Sequence, residues 1–245
     1  MENPDPLKPS EEINVGTHHP PLFFNGTQVK RVSSHKHLGL ILDSKISFVP
    51  HINEKVQIAR KWIGIIKHLR PYLPIKSLNQ IYKMHVRPHL DYCDVIYHKP
   101  IKTNSLSLNS HLEILEKTQY QAALAITGTW KGTSTDKIYE ELGWESLHNR
   151  RFFRRLTMFY KILNNLTPEY LKAPLPIPQN VYSLRRNRIV APMPCRSDKY
   201  KNSFYPDAIS SWNKIDPGLK SAISLSIFKS SFLKIIRPNK KKLLI

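Results

Sequence analysis

The chain is predicted to be mainly α-helical, an α+β arrangement in which a small N-terminal strand cluster precedes helical domains, and three observations lead there. Apolar residues recur at spacings of three and four through residues 50–69, 76–86, 110–126 and 146–163, the period of a helix face. Strand signals are confined to residues 23–43. Pro71, Pro74 and Gly128 fall between these stretches, where they end helices.

Residues 1–22 are rich in Pro, Glu and Asn and read as a loose lead-in. In Phe23-Phe24-Asn25-Gly26-Thr27-Gln28-Val29-Lys30-Arg31-Val32, the Asn-Gly pair supplies the positive φ angles of a tight hairpin between two short strands. The run His35-Lys36-His37-Leu38-Gly39-Leu40-Ile41-Leu42-Asp43 predicts one short strand with close backbone approach at Gly39. Asp43-Ser44-Lys45 supplies the turn into the first helix. That helix places Ile52, Val56, Ala59, Ile63 and Ile66 on one face and Lys55, Arg60, Lys61 and Lys67 largely away from it. Pro71 and Pro74 end it; a second helix buries Leu78, Ile81, Tyr82 and His85, is kinked or restarted at Pro88, and is expected to continue to Tyr97.

Residues 99–109 are polar and mark the expected domain boundary. The division is then 1–22 lead-in, 23–48 strand cluster, 49–98 helical domain, 99–109 linker and 110–245 basic helical domain. Ser110 and Glu113 have capping-box spacing for a helix that presents Leu112, Leu115, Gln119, Ala122 and Ile126 and stops at Gly128. Small residues Ala122, Ala123 and Ala125 permit close approach by another helix. A short helix spans about Thr135 to Leu142 and ends at Gly143. Ser146 caps a long helix with Phe152, Leu156, Phe159, Tyr160 and Leu163 inward; Arg150, Arg151, Arg154, Arg155 and Lys161 are expected on the other face. The Pro-rich stretch 168–194 suggests an extended connection, and helical periodicity returns at Leu225, Phe228, Phe232 and Ile235.

Among the 245 residues, 38 Lys+Arg stand against 18 Asp+Glu, a net charge of +20. Residues 181–245 alone hold 14 Lys/Arg against 3 Asp. A charge of this size concentrates phosphate polymers, so nucleic acid is the expected partner, bound mainly through phosphates. The hydrophobic fraction of 40% is too high for a disordered chain and sufficient for a core. Two cysteines far apart, Cys93 and Cys195, exclude a disulfide framework or a Cys-rich zinc module and fit an intracellular setting. The N-terminus lacks the basic and apolar regions of a signal peptide, and no apolar run is long enough to cross a bilayer.

Catalytic motifs are missing. There is no His-Glu-x-x-His, no Gly-x-Ser-x-Gly elbow and no glycine-rich phosphate loop. Asp91 and Asp94 have a spacing that could share a cation with His89, but the expectation is local hydrogen bonding by Asp91 and packing by Cys93, with no metal and no cofactor in this chain.

Phe24-Asn25-Gly26, Val29 to Val32, His37-Leu38-Gly39 and Leu42-Asp43 together closely resemble the segment that follows the catalytic palm motif in reverse transcriptases of jockey-like non-LTR (LINE) retrotransposons. The resemblance continues through Arg87-Pro88-His89-Leu90-Asp91-Tyr92, Gln119 to Gly128, Ser203-Phe204-Tyr205-Pro206 and Trp212-Asn213, in the family's order. It implies that residues 23–48 are a palm edge that includes a primer grip at His37-Leu38-Gly39, and that 49–98 is a thumb-like domain. Polymerases of this family hold two Mg2+ ions on paired aspartates. No Asp-Asp pair occurs in this chain, and the family places that motif before the point where it begins. The resemblance therefore implies a C-terminal fragment of an RNA-directed DNA polymerase. It would be inactive alone, working with a catalytic palm from a longer product and located in the nucleus. The expected nucleic-acid contacts are Lys36, His37, Gly39, Lys55, Arg60, Lys61, Lys67, Arg150, Arg151, Arg154 and Arg155, to phosphates of an RNA and DNA template-primer. The competing expectation is a truncated or domesticated remnant whose helices serve as a protein-interaction scaffold or serve nothing.

Overall fold

The computed structural model describes residues 20–97, 110–176 and 190–236. It is mainly helical, with two small antiparallel strand pairs at the N-terminal side. In the first pair, β1 (Phe23–Phe24) and β2 (Thr27–Gln28) meet across Asn25 and Gly26, whose φ angles of 47° and 76° are those of the predicted turn. The second pair corrects the reading of residues 35–43 as one strand. β3 (Ser34–His37) and β4 (Leu40–Asp43) are separate strands around Leu38 and Gly39, with φ 45° and 81°. A run that alternates weakly can be cut by a turn wherever glycine supplies the second positive φ, and Leu38 follows at a cost of roughly 1–2 kcal/mol.

Asp43 sets where the first helix begins. Its carboxylate accepts from the amides of Ser47 (3.0 Å) and Phe48 (2.8 Å) and from the Ser47 hydroxyl (2.9 Å). Burial works against ionisation, but these hydrogen bonds outweigh it and hold Asp43 below the ordinary carboxylate pKa. Helix α1 (Val49–Leu69) buries the five predicted residues Ile52, Val56, Ala59, Ile63 and Ile66, together with His51.

Helix α2 (Ile75–Ile81) runs into a π-turn, Tyr82–Val86, and then α3 (Arg87–Asp91). Pro88 has no amide to donate and its ring crowds the carbonyl one turn back, so the wider turn just before it relieves the clash. The helix does not continue to Tyr97 as expected. Tyr92 is extended, Cys93 has φ 57°, and a separate turn of helix, α4 (Asp94–Tyr97), follows.

Helix α5 (Ser110–Thr127) packs along α1, and Gly128 (φ 72°) ends it as predicted. The Ser110 side chain, and so the capping box, lies outside the described residues. Helix α6 (Thr135–Leu142) ends at Gly143, in the left-handed conformation. Helix α7 (Leu147–Leu163) starts at Ser146, whose hydroxyl accepts from the Asn149 amide. A single turn at Glu169–Leu171 precedes α8 (Asp198–Lys201), α9 (Phe204–Lys214), α10 (Pro217–Lys220) and α11 (Leu225–Ile236).

Two apolar cores result. The first runs from Leu40 to Leu147 and the second from Leu156 to Phe232, so α5 and α6 share the core of α1 and the division falls within α7. The boundary expected at 99–109 falls on a segment outside the described residues. Ala122, Ala123 and Ala125 let α5 close onto α1, and that burial outweighs whatever the polar stretch before it suggests. A polar chain crosses the first core: Tyr82 donates to Gln119 (2.8 Å), Gln119 to the Glu145 carbonyl (2.9 Å) and the Trp144 indole to Asn79 (2.9 Å), while the Tyr82 and Trp144 rings stack at 3.8 Å.

Candidate nucleic-acid interface

Arg60, Lys61 and Lys67 are exposed on α1, outside the buried stripe. None of the three forms an ion pair with a carboxylate among the described residues. Gly64 lies on the same strip, four residues after Arg60 and three before Lys67. It is exposed, and a Cβ built on it would meet nothing within 4 Å. A glycine inside a helix costs roughly 0.5–1 kcal/mol relative to alanine. No packing contact here explains that cost. The 21 residues of α1 span about 30 Å, close to the rise of nine base pairs at 3.4 Å each.

The β3–β4 hairpin sits at the amino-terminal end of this strip. Lys36 is exposed and pairs with Glu54 at 3.1 Å; His37 is exposed. The Tyr92 hydroxyl donates to the Leu38 carbonyl, and a Cβ on Gly39 would come within 2.9 Å of that hydroxyl. The close approach at Gly39 is therefore to Tyr92. His51 is fully buried beneath the hairpin, and its Nδ1 accepts from the Ile41 amide at 3.4 Å, so the other ring nitrogen holds the proton. Burial, with the Lys55 charge adding to it, keeps His51 below the ordinary imidazole pKa. Lys55 is mostly enclosed: its ammonium lies 3.6 Å from Glu54 and 5.0 Å over the Tyr92 ring. It fastens the α3–α4 turn to α1 instead of facing outward.

The four arginines of α7 also depart from expectation, because they point into the molecule. Arg150, Arg151 and Arg155 are buried and Arg154 is half-buried. Arg150 and Arg154 both pair with Asp91, and Arg154 reaches Asp94 at 2.5 Å. Arg155 pairs with Asp207 at 2.7 Å and donates to the backbone carbonyls of Val95 (2.9 Å) and Ser203 (2.6 Å), joining α4, α7 and α9. Burial lowers the Arg151 pKa, opposed by the negative charges of Glu116 and Asp94. Burial raises the pKa of Asp94 and Asp207, opposed by Arg154 and Arg155 respectively. The guanidinium groups of Arg150, Arg154 and Arg155 are held by carboxylates and carbonyls between the two cores. Asp91 keeps the expected local hydrogen bond, accepting from Arg87 Nε at 3.4 Å, and adds ion pairs to Arg150 and Arg154, 59 and 63 residues away.

Beside this seam a cavity of about 740 Å³ opens between Phe48, Ile96, Met158, Ile162, Phe204 and Tyr205. No cluster of three metal-ligating side chains occurs among the described residues, and none of their helices is long and apolar enough to cross a membrane. Arg185, Arg186, Arg188 and Lys240 to Lys242 lie outside the described residues.

Sequence reading passed over Gly64, Arg70 and Trp130. An exposed glycine in mid-helix was the available signal for the first. Gly128 and Gly132 on either side of a tryptophan were the signal for the last. Compared with protein-family models, curated proteins and solved structures, the chain matches none.

Proposed function

We propose that this chain grips a template-primer duplex in the manner of the thumb of a non-LTR retrotransposon reverse transcriptase, through phosphates and without chemistry of its own. The observation that carries the reading is the outer strip of α1, where Arg60, Lys61 and Lys67 have no carboxylate partner among the described residues and surround a glycine with open space above it. Three cations on a rigid rod about 30 Å long suit the regular spacing of a phosphate backbone, and Gly64 lets that backbone come against the helix. Lys36 and His37, on a hairpin pinned by Tyr92 at the amino end of the strip, extend the contact towards a primer end. The buried arginines of α7 hold the two cores together in this reading, and Lys55 positions Tyr92. The paired aspartates and their Mg2+ belong to a palm supplied by a longer product, and the nucleus is where such an element would act.

Binding of the purified chain to an RNA–DNA primer-template across a salt series tests the reading. Three to five phosphate contacts give a slope of log K against log [salt] of about −3 to −4.5. The second reading, a protein-interaction scaffold, is favoured by the apolar cavity between the cores. It predicts no measurable duplex binding at low salt.

A further inference from the structure

The loop between α5 and α6 is built to hold one side chain in water. Trp130 is 90% exposed, whereas Trp212 and Trp144 are buried and Trp62 is packed against the first core. The loop around it is nonetheless closely tied. The amide and hydroxyl of Thr133 both donate to the Trp130 carbonyl, at 3.1 and 2.7 Å. The Gly132 amide donates to the Tyr120 hydroxyl at 3.1 Å, and that hydroxyl donates to the Thr133 carbonyl at 2.9 Å. Thr127 and Thr129 hydroxyls share a hydrogen bond of 2.9 Å at the other end. Gly128 and Gly132 take φ of 72° and 108°, angles that side chains on L residues disfavour.

Two cations belong to the same loop region. Arg70, the residue after α1, lies so close over Gly128 that any Cβ there would overlap its guanidinium, and Lys131 follows the tryptophan. Asp136, the nearest carboxylate in the sequence, is in the first turn of α6, where the helix amides favour it. Because Arg70 ends α1 and touches Gly128, the loop sits at the carboxyl end of the basic strip, with the β3–β4 hairpin at the opposite end.

Resting on the duplex-grip reading, we propose that Trp130 is a stacking platform for an unpaired base of a single-stranded extension leaving the duplex, with Arg70 and Lys131 meeting its phosphates. A flat π surface accepts any base, and the two cations favour a polyanion over an apolar protein segment. A loop backbone fixed in place leaves only the side-chain torsions of Trp130 to be ordered on binding, which is what the Tyr120 and Thr133 hydrogen bonds provide.

The test measures full-length chain, Trp130→Ala and Trp130→Phe against two labelled primer-templates, one blunt and one with an unpaired template extension of about ten nucleotides. The expected result is that the extension tightens binding of the wild type by about 5- to 150-fold, the range for one stacked base. Trp130→Ala loses that gain, Trp130→Phe keeps most of it, and both bind the blunt duplex as before. Base contact should also shield the wild-type tryptophan from iodide quenching. The inference is overturned if Trp130→Ala keeps the gain, or if the wild type binds the blunt duplex and gains nothing from the extension. Loss of a concentration-dependent self-association in Trp130→Ala, with nucleic-acid binding unchanged, would overturn it in favour of a protein contact. If neither primer-template binds, the duplex-grip reading fails and this inference goes with it.

Discussion

Replacing Gly64 by alanine should move stability and binding in opposite directions. The residue lies mid-helix in α1, and the added methyl meets nothing within 4 Å, so it relieves the entropic cost of glycine without a clash. The gain is roughly 0.5–1 kcal/mol, which for a chain of this length raises Tm by about 1–4 °C. Duplex binding should weaken. If the phosphate backbone lies against Gly64, a methyl group holds it away and lengthens the contacts made by Arg60 and Lys67 on either side. Losing one hydrogen bond to a charged group costs roughly 1.5 kcal/mol, about tenfold in Kd. Thermal melting followed by circular dichroism reads the first effect and fluorescence anisotropy with a labelled duplex reads the second. A variant that is stabilised and binds as well as wild type would refute a backbone at Gly64. One that is destabilised would refute the open space above it.

Asp207→Ala leaves Arg155 buried without its partner and should cost about 3–5 kcal/mol in denaturant unfolding, whereas Arg155→Met with Asp207→Leu should recover most of that loss, because the pair is then removed together. An equal loss in both variants would mean that Arg155 acts through the Val95 and Ser203 carbonyls. His51, His89 and His148 all have pKa values lowered chiefly by burial from the ordinary 6.5. Their unfolded forms therefore bind protons first as pH falls. Their contribution to stability is complete above about pH 6.5 and is lost progressively below it. Protonation of His51 also removes the acceptor for the Ile41 amide, so the protection factors of the β3–β4 hairpin amides, taken against the intrinsic exchange rate at each pH, should fall as the pH is lowered below about 6.5; unchanged protection factors would contradict this role for His51.

The helices were legible because their signals are local. Ile52 to Ile66 and Leu225 to Phe232 repeat at the helical period, and Gly128 and Gly143 stop helices where a left-handed residue is needed. The Asn25-Gly26 turn was legible for the same reason. What escaped depends on partners distant in sequence. Arg150, Arg151, Arg154 and Arg155 form a stripe that looks like a solvated helix face until Asp91, Asp94 and Asp207 are brought to it from both sides of the chain. Lys55 looks free until Tyr92 moves beneath it. Arg60, Lys61 and Lys67 needed no such partner, and their outward position follows from periodicity alone.

The most direct measurement of the duplex grip compares wild type with the triple variant Arg60→Gln, Lys61→Gln and Lys67→Gln on one RNA–DNA primer-template across a salt series. All three side chains are exposed, so folding should be unaffected. The account predicts weaker binding at every salt concentration and a salt slope shallower by about 2.7, or 0.9 for each phosphate contact removed. Equal affinity and an unchanged slope in the triple variant would contradict it.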